Sequence, residues 1–382
     1  MSNDTVVKLA QQLIQIDSIT PNDKGCQDII KKELEGVGFQ TCSQKFGAVD
    51  NLFAWHGQKP GLSLLFVGHT DVVAVGDKNL WQHPPFAAAI DNNYLFGRGA
   101  ADMKGAVAAF TLAMKDFVSN HPDHNGKIAL MLTSDEEGPA VDGIKKFMPL
   151  IDKEHKFDYC LVGEPSSRNQ LGDEVRVGRR GSLHVDITIH GKQGHIAYPQ
   201  YARNPVFLAA DLIKDLSTHQ WDTGNDDFPP TSFQISAVKT STSVSNIIPA
   251  DLQIQANFRF CPQSTENSLK AQIIKLLEKY RLDYSLEWNL SGKPFHSKNK
   301  QLKLSIQQCI YQITGTNTSF NTIGGTSDGR FVAEYGVEVV ELGLVNKTIH
   351  QINEKVLLSD VGKLRDIYYQ FIFTSLANST SK

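Results

Sequence analysis

Three apolar runs in the first half of the chain each stop at a histidine or a carboxylate, and this repetition restricts the fold more than any other feature. They are LSLLFVGHTD (62–71), KIALMLTSDEE (127–137) and YCLVGEPS (159–166). A run this apolar belongs in a core, as a strand. Between the runs, apolar residues recur with helical spacing and predict helices near Thr5–Ile16, Gln27–Gly36 and Gly105–Phe117. Alternation of that kind gives an α/β fold, a largely parallel sheet flanked by helices. Ligands of such sheets collect beyond the carboxyl ends of the strands, where these polar residues stand.

The pattern changes after Arg180. SLHVDITIHG and DLQIQANFRF (251–260) alternate apolar and polar, as strands covered on one face do. A helix opening at Asn204-Pro205, a strand in TSFQISAVKT, a helix in STENSLKAQIIKLLEKY and a strand in DYSLEWNL complete a β-α-β-β-α-β order. That order predicts an inserted ferredoxin-like α+β domain. From about Gly292 the first pattern returns, so the expected division is a discontinuous catalytic domain, 1–179 and 292–382, around an insert at 180–291. The length of 382 residues suits two domains better than one core. The polar tail ANSTSK is expected to fray.

Composition removes several function classes. A net charge of −3 gives no electrostatic reason to bind nucleic acid or an anionic membrane. No segment approaches the roughly 18 apolar residues of a membrane span, and the N-terminus lacks a basic region followed by an apolar core, so a cytoplasmic protein is expected. The five cysteines are scattered without CxxC spacing and read as reduced structural thiols.

The candidate site starts with His69 and Asp71, which point to one side because alternate strand residues share a face. GRGAADMKG (97–105) adds Asp102 in a glycine-rich loop ahead of a helix; its spacing is not that of a phosphate loop. Glu136 and Glu137 repel one another at a strand end unless a cation or proton offsets them. Glu164 follows another strand, and LVNKTIHQINE places His350 in a loop. Each feature alone is unremarkable: a capping aspartate or a solvated acidic turn would explain it. Their convergence on one sheet edge is what those explanations leave out. Two histidines with three carboxylates and no thiolate suit zinc or another divalent first-row metal. Three carboxylates leave one divalent ion with net negative charge, whereas two ions leave a charge that one bridging hydroxide neutralises. That is the layout of dinuclear hydrolases, with metals about 3.5–4 Å apart.

HTDVV, GRGAADMKG, SDEEGPA, GEPS, GGTSDGRF and NKTIHQINE stand in order along the chain, which thereby resembles the M20 metallopeptidase family. The resemblance implies a zinc-peptidase-like catalytic domain and an insert that acts as lid and homodimerisation domain. It implies two zinc ions per subunit, the second site also accepting cobalt or another divalent metal. His69 and Glu164 would hold one ion, Glu137 and His350 the other, and Asp102 both. Asp71 would hydrogen-bond His69, and Glu136 would be the general base on a metal-bridging water. The peptide bond after Asp102 would be cis. In GKQGHIAYP (191–199), His195 would reach the partner subunit's site and stabilise the oxyanion. The implied substrate contacts are Arg179, Ser182, Asn246, Arg259, Gly325, Thr326 and Asn346. The implied activity is hydrolysis of a linear amide in a small acylated amino acid. The wording of the motifs favours the succinyl amide of a diamino diacid over acetylornithine or other acyl amino acids, whose hydrolases share these ligands. A non-catalytic binding relative would have lost Glu136 or a ligand, and none is lost.

Overall fold

The structure, a computed structural model, describes residues 3–377. The tail expected to fray is, beyond Ala377, outside that range. The chain divides into two compact units, 1–178 with 296–321 and 327–382, and 179–295 with 322–326.

In chain order, the first unit opens with α1 (Asn3–Ile14), α2 (Cys26–Glu35), β1 (Gln40–Phe46), β2 (Val49–His56) and β3 (Ser63–His69). There follow α3 (Gly105–Asn120), β4 (Lys127–Thr133), α4 (Ile144–Ile151), β5 (Tyr159–Val162) and β6 (Glu174–Arg176). The second unit holds β7 (Gly181–His190), α5 (Pro205–Thr218), β8 (Ser232–Thr240), β9 (Asp251–Phe260), α6 (Glu266–Lys279) and β10 (Tyr284–Gly292). The first unit then resumes with α7 (Lys300–Thr314), β11 (Ser319–Asn321), β12 (Glu338–Glu341) and α8 (Leu358–Leu376).

The large sheet has the order β1-β2-β4-β3-β5-β12-β6-β11. Its centre, β4-β3-β5-β12, is parallel, but β1 and β2 form an antiparallel hairpin and β6 opposes β12. The sheet is therefore mixed but mostly parallel, as expected, since β11 also runs parallel to β6. The hairpin escapes the sequence pattern because β1, QTCSQKF, is polar and largely solvent-facing, so no buried stripe marks it. At the centre, β3 is buried along nearly its whole length, as its unbroken apolar run requires. Phe66 on β3, Phe110 on α3 and Tyr368 on α8 pack ring to ring at 5.5–5.9 Å and fasten the two helices to the sheet. The buried Tyr368 hydroxyl donates to the Leu342 carbonyl at 2.5 Å.

Register explains why the polar residues converge. His69 lies level with Thr133, and Val67 with Val162, so the parallel strands end together. The residues just past those ends, Asp71, Glu136, Glu137 and Glu164, inherit the alignment.

In the second unit the sheet order is β8-β9-β7-β10, antiparallel throughout, and the β-α-β-β-α-β order is ferredoxin-like. Leu183, Val185, Ile187 and Ile189 of β7 face Leu212 and Leu216 of α5 and Leu269 and Ile273 of α6 in one apolar core. Its bounds, 179 and 295, lie a few residues from the expected 180 and 291, and residues 322–326 join it from afar. Arg179 holds that segment by donating to the carbonyls of Ile323 at 3.1 Å and Gly325 at 3.4 Å, and Thr322 donates to the Asp227 carbonyl at 2.6 Å. Among the described residues no helix is long and apolar enough to cross a membrane.

Candidate metal centre

His69 ends β3 with its ring buried. Its Nδ1 donates to the backbone carbonyl of Asp71 at 2.9 Å, so Nε2 is the nitrogen that faces the cluster. Nε2 lies 3.2 Å from Asp102 Oδ1 and 3.7 Å from Glu164 Oε1. His350 Nε2 lies 3.3 Å from the other Asp102 oxygen and 3.0 Å from Glu137 Oε1. Two triads result, His69–Asp102–Glu164 and Asp102–Glu137–His350, each with its ligand atoms within 4.8 Å of one another. Asp102 belongs to both, one oxygen to each histidine. Two atoms each about 2.0–2.1 Å from a tetrahedral zinc lie about 3.3 Å apart, so most of these spacings are those of atoms around a common ion. Glu164 Oε1 is buried without a hydrogen-bond partner, an expense that a bound cation removes.

The loop that presents Asp102 departs from helix at Asp102 and Met103, and the peptide between them is cis. Gly68 and Gly163, each one residue before a triad member, open the space that Met103 fills. A Cβ on either would come within 2.7 Å or 2.5 Å of Met103 Cε.

Electrostatics point the same way. Burial pushes the Glu136 carboxyl well above its ordinary value. Burial and the carboxylates of Glu136 and Asp102 do the same to Glu164. Hydrogen bonds to Asp102 and Glu137 raise His350 to about 10. Burial disfavours charge on His69, yet Asp102, Glu136 and Asp71 outweigh it and hold the ring well above its usual value. Asp102, though buried, is held below the usual carboxylate range by His350 and His69. The cluster holds excess negative charge and draws protons to offset it, as divalent cations would.

The Asp71 side chain differs from expectation. Its Oδ1 lies 3.6 Å from His69 Nδ1, and it is the backbone carbonyl that takes the histidine hydrogen bond. The carboxylate instead accepts the N–H groups of Glu136 at 3.4 Å and Glu137 at 3.1 Å. One residue thus orients a ligand through its main chain and the acidic loop through its side chain. Glu136 Oε2 sits 4.0 Å from His69 Nε2, largely buried and outside both triads.

The remaining candidates fall mainly in the second unit. Ser182 and Arg259 are register partners on β7 and β9, and Asn257 donates to the Ser182 hydroxyl at 3.2 Å. Gly325 and Thr326 lie on the segment held by Arg179. The Asn246 carbonyl accepts the Ile196 N–H at 3.1 Å, beside the short pairing that carries His195. His195 is exposed, and its Nδ1 accepts the Ala197 N–H at 3.0 Å, so its proton resides on Nε2. Asn346 belongs to the first unit, where its N–H donates to the Ser167 carbonyl at 2.9 Å.

Three charged residues that sequence reading passes over shape the centre. Asp328 is buried with Oδ1 unpartnered and sits close enough to Glu136 to raise it. Arg98 and Glu354 form a buried pair at 2.8 Å, and Glu354 also accepts backbone N–H groups of the Asp102 loop. The pair is 256 residues apart in sequence, so no local spacing announces it.

A family model for peptidase family M20/M25/M40 matches residues 65–374. The chain belongs to this family. A Hydrogenovibrio crunogenus protein named succinyl-diaminopimelate desuccinylase is 49% identical over 365 residues, 95% of this chain and 96% of that one. A Coxiella burnetii protein of the same name is 48% identical over 95% of this chain and 97% of its own. The solved structure of a dinuclear metal binding M20 peptidase of Bacillus subtilis shares the fold, with a TM-score of 0.72 over 97% of each chain at 13% identity. This M20 chain is accordingly a metal-dependent hydrolase.

Proposed function

We propose that the chain hydrolyses N-succinyl-L,L-2,6-diaminopimelate to succinate and L,L-2,6-diaminopimelate, in diaminopimelate and lysine biosynthesis, with two zinc ions per subunit. The single observation that carries the chemistry is Asp102, whose two oxygens face His69 and His350 at 3.2 and 3.3 Å. The choice of substrate is supported by the names of relatives 48–49% identical over nearly the whole chain. His69 and Glu164 would hold one zinc, Glu137 and His350 the other, and Asp102 both. Bound there, the ions would supply Lewis acidity and lower the pKa of the attacking water.

Glu136 serves as the general base. It takes a proton from the attacking water as the new C–O bond forms, then delivers it to the nitrogen as the amide C–N bond breaks. A buried carboxyl with a raised pKa suits both halves of that transfer. Asp71 holds the Glu136 N–H and so fixes where the base stands. His195, with its proton on Nε2, donates to the developing oxyanion in the partner subunit of a homodimer. Arg179 and Arg259 bind substrate carboxylates, supported by Ser182, Asn246, Asn346 and the Gly325-Thr326 main chain.

Turnover of N-succinyl-L,L-diaminopimelate and N-acetylornithine by the zinc-loaded protein tests this reading. A kcat/KM far higher on the succinyl substrate is expected. Faster cleavage of acetylornithine would assign the chain to another M20 activity.

A further inference from the structure

We propose that Glu354 is a positioning residue for the metal centre, locking the loop that carries Asp102 to the loop that carries His350. The inference rests on the reading of Asp102 and His350 as metal ligands. Glu354 stands four residues after His350 and is fully buried. Its Oε1 accepts the N–H groups of Ala101 at 2.9 Å and Asp102 at 3.1 Å. Its Oε2 accepts the N–H of Gly99 at 3.0 Å and Arg98 Nη1 at 2.8 Å. A carboxylate offers about four acceptor sites, and here each oxygen takes two donors.

Around this carboxylate the two loops are zipped further. The Gly97 N–H donates to the Glu354 carbonyl at 3.0 Å, and Arg98 Nη1 to the Gln351 carbonyl at 3.1 Å. Arg98 Nη2 reaches the Ala74 carbonyl at 3.3 Å, and its guanidinium lies 5.3 Å from the Trp81 ring. The Asp102 N–H is therefore fixed on one side while its carboxylate divides between two histidines on the other. Fixing the peptide fixes the direction of the Cα–Cβ bond, and with it which oxygen meets which histidine. His350 itself has φ of 59° and is half exposed, and its loop is held further by the Gln82 N–H on Asn353 Oδ1 at 2.6 Å and by the Thr348 hydroxyl, which pairs with the main chain of Lys355 at 3.1 Å.

A carboxylate is needed because all four partners are donors. In Glu354→Gln the shape survives, but one oxygen becomes an NH2 group facing two donors. The triad of Asp102, Glu137 and His350 loses restraint at two members. The triad of His69, Asp102 and Glu164 loses it at one, and His69 keeps its own carbonyl partner.

Calorimetric titration of the metal-free full chain with Zn2+, and the visible spectrum of the Co2+ form, test this. The wild type should take up two ions. Glu354→Gln should bind one with little change and the other roughly 10–100-fold more weakly, as removal of a group that orients a ligand does. Its Co2+ bands should alter while the far-ultraviolet circular dichroism stays that of the wild type. Arg98→Lys, which keeps the charge and loses the fork, should shift the same constant by less. Two wild-type constants in Glu354→Gln would overturn the proposal. So would an equal fall in both constants with loss of folded circular dichroism in both variants, since that marks a purely structural pair. A wild type that takes up no ion would instead sink the metal reading on which the proposal rests.

Discussion

Asp328 shows how one residue can hold a cost that the centre makes use of. It is buried, one oxygen lacks a partner, and Arg330 only partly offsets the burial, so its carboxyl is pushed up to about 6. Since the folded-state pKa exceeds the unfolded value near 3.8, the folded chain binds that proton more tightly. The stability this contributes is full below about pH 4 and is lost as pH rises through about 6. Asp328→Asn removes the dependence. In metal-free protein, the stability of the variant relative to wild type should rise by about 2–3 kcal/mol between pH 4 and pH 8. Urea unfolding across that range measures it, and a pH-independent difference would show that the carboxyl is not perturbed. Asp328 stood inside GGTSDGRF in the sequence, but only the fold reveals that it is buried near Glu136. The triad residues other than His350 were more legible, because each stands at the end of an apolar run or in a glycine-rich loop.

At the scale of elements, what could be read was whatever burial, on both faces or on one, writes into the sequence as an unbroken or alternating apolar pattern. β3, β4 and β5 were plain, each lying within one of the three apolar runs, and so was the β-α-β-β-α-β order of the second unit. The hairpin of polar β1 with β2 was not, nor was the return of residues 322–326 to the second unit, since neither β1 nor that segment leaves a periodic trace. Packing between elements was equally silent, although two glycines mark it. Gly68 on β3 and Gly163 after β5 admit Met103 beneath the Asp102 loop. A Cβ at Gly163 would also come within 2.9 Å of Phe110 Cε1 and 3.1 Å of Ala106 Cβ, so α3 has to shift. Gly163→Ala should therefore cost about 1–3 kcal/mol, as overfilled cores do. The cost should be smaller in a Met103→Ala background, because the nearest obstacle is gone. Equilibrium denaturation of the four-member cycle reads the coupling, and strictly additive costs would mean that Met103 does not fill this space.

At the scale of the whole molecule, the assignment of His195 to a partner's site has a consequence that no single-subunit arrangement shares. The second unit displays Ile196, Tyr198, Tyr201 and Phe207 within one stretch, the last two 70% and 79% exposed, which is more apolar surface than a free face tolerates well. A homodimer that covers them would also bring His195 of each chain to the other. Glu136→Ala destroys the base in its own subunit, and His195→Ala destroys the donor given to the partner, so each homodimer should be nearly inactive. In a mixed dimer the His195→Ala subunit retains Glu136 and receives an intact His195 from its neighbour. One of its two sites is then complete. Equal co-expression should restore roughly a quarter of wild-type turnover, because half of the dimers are mixed and each has one working site. If His195 served its own subunit, both sites of the mixed dimer would remain defective and co-expression would restore nothing. The comparison needs only turnover per dimer and the ratio of the two chains in the purified sample.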